Sequence, residues 1–147
     1  MTSKRPVELL IGFAREKVTL EAARAEAMFR KFMSGGFSYE EISNRPDWPT
    51  YASAEVLATI LPLMIDEMLA RDDTVNYLIY PMLTAVDPSG GGSDAMAERA
   101  AQLAELVDDT FAEKVLRLLT AVRDDPPIPI ARLDRIAAFW KDKAPTR

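Results

Sequence analysis

DAMAERAAQLAELVDDTFAEKVLRLLTAV, residues 94–122, decides the fold. Met96, Ala100, Leu103, Val107, Phe111, Val115, Leu118 and Val122 step by three or four, which lines them up on one face of an α-helix, and Leu106, Leu116 and Leu119 widen that face. The spacing predicts one amphipathic helix, capped by Ser93 or Asp94 and ended by Asp124-Asp125-Pro126-Pro127.

Moving outward, the same period recurs on both sides. After the break, Pro129 suits a helix start, and Ile130, Leu133, Ile136, Ala137 and Trp140 form the apolar face of a last helix before a tail over 142–147 that frays. On the N-terminal side, Asp87-Pro-Ser-Gly-Gly-Gly-Ser93 reads as a flexible surface loop. Ahead of it, Ser53 caps a helix through Val56, Leu57, Ile60, Leu61, Met64, Ile65, Met68 and Leu69 with Pro62 inside, and Val75 to Val86 form another carrying Pro81. An interior proline removes a hydrogen bond and bends the helix, so both prolines mark expected kinks or helix ends.

Arg45-Pro-Asp-Trp-Pro-Thr50 is expected to be a non-helical loop pinned by Trp48, because each proline restricts the residue before it to extended conformations. Ser38-Tyr-Glu-Glu41 has the capping-box spacing and predicts a short helix to about Asn44. Between Val7 and Met33, Leu10, Ile11, Ala14, Val18, Ala22, Ala25, Phe29 and Phe32 again keep helical spacing up to Gly35-Gly36, and Thr19 leaves open one helix or two. No segment alternates with period two and no repeat or heptad array is present. The fold class is all-α, an irregular bundle of five to seven helices in a single domain of 147 residues, a length sufficient for a packed core.

The chain has no Cys and no His. Disulfides, thiolate nucleophiles, Cys-based zinc sites and iron–sulfur clusters are thereby excluded, along with the commonest general base and the usual partner of a serine nucleophile. No catalytic constellation, metal site or cofactor is expected, and the chain does not read as an enzyme. The apolar run Leu9–Ala14 ends at Arg15-Glu16-Lys17 without a small-residue cleavage site, and no stretch reaches the length of a membrane span, so the expected location is cytoplasmic.

Net charge is −5, but its layout is uneven: +3 over residues 1–37, −11 over 38–125 and +3 over 126–147. Nucleic acid and acidic membrane surfaces, which need clustered Lys and Arg, are disfavoured as partners. The acids read first as solvated helix faces and helix N-termini. Their functional reading is a docking surface for a basic protein, with Glu40, Glu41, Asp66, Glu67, Asp72 and Asp73 as its charged part and Trp48, Tyr51, Tyr77 and Tyr80 as candidate anchors, although core packing is the commoner fate of such aromatics.

Two further motifs carry less. Ser89-Gly-Gly-Gly-Ser93 has backbone amides to offer a phosphate but lacks the Lys-Ser/Thr of a P-loop and a preceding strand, so it reads as linker. Met28, Met33, Met64, Met68, Met82 and Met96 sit at core spacing. The expectation is a stoichiometric protein-binding domain, of the kind by which bacterial immunity or antitoxin proteins neutralise a basic toxin or nuclease. The alternative is an adaptor or small-molecule-binding helical domain with its ligand near Pro62, Pro81, Tyr77 and Tyr80. The oligomeric state is open.

Overall fold

The computed structural model describes residues 8–143 apart from Val18, Phe37, Pro46 and residues 75–77. The fold is all-α: nine α-helices lie among the described residues, and the single extended pairing is an isolated bridge between Leu10 and Ala52. Six helices have eight residues or more and form the body of the bundle: α2 (Leu20–Met33), α5 (Ala54–Ala70), α6 (Ile79–Val86), α7 (Asp94–Leu106), α8 (Asp109–Ala121) and α9 (Ile130–Lys141). Three short ones fill the N-terminal third: α1 (Gly12–Glu16), α3 (Tyr39–Ser43) and α4 (Trp48–Tyr51). No described helix is long and apolar enough to cross a membrane.

Helix α5 is the axis. Its buried residues Ala54, Val56, Leu57, Ile60, Leu61, Met64, Ile65 and Met68 occupy most of its circumference, which a helix can sustain only when neighbours cover several sides. Helices α2, α7 and α8 do so, while α9 packs on α8 and α6 on α7. Ser53 caps it as its sequence predicts, accepting from the amide of Val56 at 3.3 Å. The helix runs through Pro62 without ending.

The remaining boundaries follow from local chemistry, with two corrections. Thr19 accepts from the amide of Ala22 at 3.1 Å and separates α1 from α2, which settles the first region as two helices. Ser38 caps α3 through the amide of Glu41. The stretch 94–122, expected as one helix, is two: Val107 is extended and Asp108 accepts from the amide of Phe111 at 3.1 Å, starting α8 afresh. The segment 45–50, expected to be non-helical, contains the single turn α4, because Pro49 stands at its start, where a proline N–H is not needed. Pro81 likewise falls in the first turn of α6 and breaks nothing.

Aromatic packing locks the two ends of the molecule. Trp48 is buried edge-on against Phe29 with ring centroids 5.8 Å apart, and Trp140 sits between Phe111 and Phe139, each at 5.3 Å. Trp140 also donates its indole N–H to the Val86 carbonyl at 2.8 Å, which fastens α9 to the end of α6. Met28, Met64, Met68 and Met82 are core residues, and Met33 and Met96 pack on the core's edge.

Candidate functional site

Charged residues from the sequence reading gather mainly where α3 meets the C-terminal end of α5. The Tyr39 hydroxyl donates to the Asp73 carboxylate, the Arg71 guanidinium lies 4.6 Å over the Tyr39 ring, and Arg71 Nε donates to Glu67 at 2.9 Å. Glu40 acts on Arg71 through space, and Glu41 pairs with Lys31 at 2.8 Å. Asp72 is exposed with a φ of 53°, a left-handed conformation that Asp tolerates better than most side chains. Burial, and then the hydrogen bond to Asp73, push the Tyr39 hydroxyl up to about 12.

The other predicted residues go elsewhere. Asp66 faces α8, where Lys114 donates to it at 2.6 Å. Trp48 is only 1% exposed and is core rather than a docking anchor, because α4 turns its ring onto Phe29. Tyr51 is half-buried, Tyr80 is exposed, and Tyr77 lies outside the described residues.

Lys114, the partner of Asp66, lines a groove of about 300 Å³ between α5 and the α7–α8 junction together with Ala58, Pro62, Leu106, Val107, Asp108, Thr110 and Phe111. The groove exists because the helix breaks at Val107-Asp108. A continuous helix would have carried its apolar stripe straight past Pro62; the break leaves Leu106 on the last turn of α7 with half of its surface in solvent. Carboxylates flank this apolar site in space or sequence: Asp66 and Asp108 at the groove, and Glu105 and Asp109 exposed beside its residues.

A second hollow opens at the N-terminal end of α7, and Tyr80 and Pro81, two of the residues expected around a small ligand, form part of its wall. Its volume is about 330 Å³, and its lining includes Tyr80, Pro81, Thr84, Gly91, Ser93, Met96, Arg99 and Arg132. The stretch 87–93, expected as a flexible linker, is a hydrogen-bonded turn. Asp87 is buried and accepts from the amide and hydroxyl of Ser89 at 2.9 and 2.8 Å and from Arg132 Nε at 2.7 Å. Burial alone would raise the Asp87 pKa, but Arg132 and Ser89 outweigh it and hold the carboxyl below its usual range. Gly90 has φ 61°, and a Cβ on it would stand 2.3 Å from the backbone nitrogen of Ala97, so only glycine fits.

Arg99 crosses the base of this region, 3% exposed, donating through Nη1 to the carbonyls of Pro49 and Ala52. No carboxylate among the described residues forms an ion pair with it, and burial pulls its pKa down to about 10, which leaves it charged at neutral pH. Arg99 Nε and Arg132 Nη2 are buried without a hydrogen-bond partner among the described residues. No local sequence signal marks these arginines, since their partners lie between 45 and 50 residues away.

The chain matches no known protein family, no curated protein and no solved structure. Its function is therefore argued from geometry. Among the described residues, no group of three or more carboxylates is placed to hold a metal ion.

Proposed function

We propose that the chain is a stoichiometric protein-binding domain that docks a basic protein at the groove beside Pro62, in the manner of a cytoplasmic immunity or antitoxin protein that neutralises a cationic toxin or nuclease. The observation that carries this reading is Leu106, 52% exposed beside the apolar wall of Ala58, Pro62, Val107 and Phe111, with Asp108 in the same lining and the one lining cation, Lys114, already paired with Asp66. Tight protein recognition needs a buried apolar anchor, and opposite charge around it speeds encounter by about tenfold to a thousandfold. Leu106 and the wall of Pro62 and Val107 supply the first, Asp66 and Asp108 the second.

Inhibition of this kind uses complementarity and needs no catalytic group, cofactor or nucleic-acid contact. The test is site-specific photo-crosslinking in the native cells, with the reactive group at position 106 or, as a control, at position 20, where Leu20 is still more exposed but lies outside the groove. The proposal expects one basic protein, in equimolar yield, from position 106 alone. The same products from both positions, or an acidic product, would refute it.

A further inference from the structure

We infer that the hollow between the 87–93 turn, α6, α7 and α9 is a binding site for a phosphomonoester. The inference stands independently of the docking groove. Its first support is charge. In a chain of net charge −5, the residues lining this hollow include two arginines, Arg99 and Arg132, and no carboxylate. Asp87 offsets Arg132 from behind the lining, whereas the partners of Arg99 among the described residues are carbonyl oxygens. A buried guanidinium is stabilised when an oxyanion accepts from its N–H groups, and each of these two arginines retains one N–H without a hydrogen-bond partner among the described residues.

The second support is the helix end. Helix α7 has thirteen residues, its N-terminus carries partial positive charge, and the turn before it, Gly90–Gly92, brings backbone close without side chains in the way. Gly91 lies against Arg132, where an added Cβ would stand 2.9 Å from Nη2. The third is the wall. Pro81, Met96 and the exposed ring of Tyr80 offer apolar and stacking surface to an organic group, with the hydroxyls of Thr84 and Ser93 alongside. A volume of about 330 Å³ admits a phosphate with a small organic substituent. A dianion matches two guanidinium groups and a helix N-terminus better than a monocarboxylate does.

The test is an amide and guanidinium NMR titration of the full chain with inorganic phosphate and with phenyl phosphate, against sodium chloride at matched ionic strength. The site predicts saturable shifts at Gly90–Ser93, Met96 and the Nε–H groups of Arg99 and Arg132, with phenyl phosphate binding more tightly than phosphate. Thr84→Glu puts a carboxylate at the rim while leaving both arginines in place, and should weaken binding by about tenfold or more. The paired change Asp87→Asn with Arg132→Gln retains a side-chain hydrogen-bonding pair at the two positions while removing the guanidinium fork, and should do the same. Shifts that follow ionic strength alone, or saturable binding unchanged in both variants when folded, would overturn the site.

Discussion

The groove at Pro62 and the hollow at Arg132 are nearly equal in volume, about 300 and about 330 Å³, yet each handles its ion pair in the opposite way. In the groove, Asp66 is half in solvent and its bond to Lys114 is one surface contact of a site whose floor is apolar. In the hollow, Asp87 is 3% exposed and its partner Arg132 is 15% exposed, so the pair is part of the architecture. Charge at the first is available to steer a partner. At the second it holds the fold, and the charge left over belongs to Arg99.

This difference breaks most visibly under mutation. Asp87→Ala leaves Arg132 buried and unpaired and should cost about 3 kcal/mol in urea denaturation, against under about 1 kcal/mol for Asp66→Ala, whose exposed pair is screened by water. Equal losses would erase the distinction.

Two titrations sharpen it. The Asp87 carboxyl is held below its usual range, so its contribution is present above the ordinary carboxylate pKa and lost as pH falls through the folded value. Asp87→Asn should therefore flatten the acid limb of the stability profile. At the acidic end of α5 the sign reverses. Tyr39 is held up to about 12, so its protonated form contributes stability below pH 10 that is lost between pH 10 and 12, and Tyr39→Phe should remove that alkaline decline. An unchanged slope in either variant would show that the named group is not the one titrating.

The smallest expected change in stability is at Leu106. Because half of its surface is already in water, Leu106→Ala should alter unfolding free energy by no more than about 0.5 kcal/mol, while lowering affinity for a docked partner. A loss of stability comparable to that of a core leucine would mean that the side chain supports the fold instead.

The helical class was legible because apolar residues at three and four spacing have no alternative use in a chain of this length. The break at Val107-Asp108 was not, since the apolar stripe continues across it. Asp108 read as one of several solvated acids, although an Asp three residues before Phe111 is also the spacing of a cap. The prolines around Trp48 were read as excluding a helix, when one of them is well suited to a first turn.

Of the predicted acids, Glu40, Glu67, Asp72 and Asp73 were recognisable as charged, but their gathering near Arg71 depends on α3 packing beside the end of α5, as the Tyr39–Asp73 bond shows across 34 positions. Asp66 was assigned to the same group, and one further step around the helix sends it to Lys114 instead. The three glycines have the composition of a linker. What makes them a turn is Ala97 crowding Gly90 and Arg132 reaching Asp87 from α9, and neither constraint is local.

The most direct test of the docking account is stopped-flow association of the protein captured through position 106 with the wild-type chain and with the Asp66→Lys, Glu105→Lys double variant, which leaves the Asp108 cap of α8 in place, across a salt series. The account predicts that association slows with salt and slows again on charge reversal, with dissociation changing much less. Association rates that coincide for the two chains at every salt concentration would contradict it.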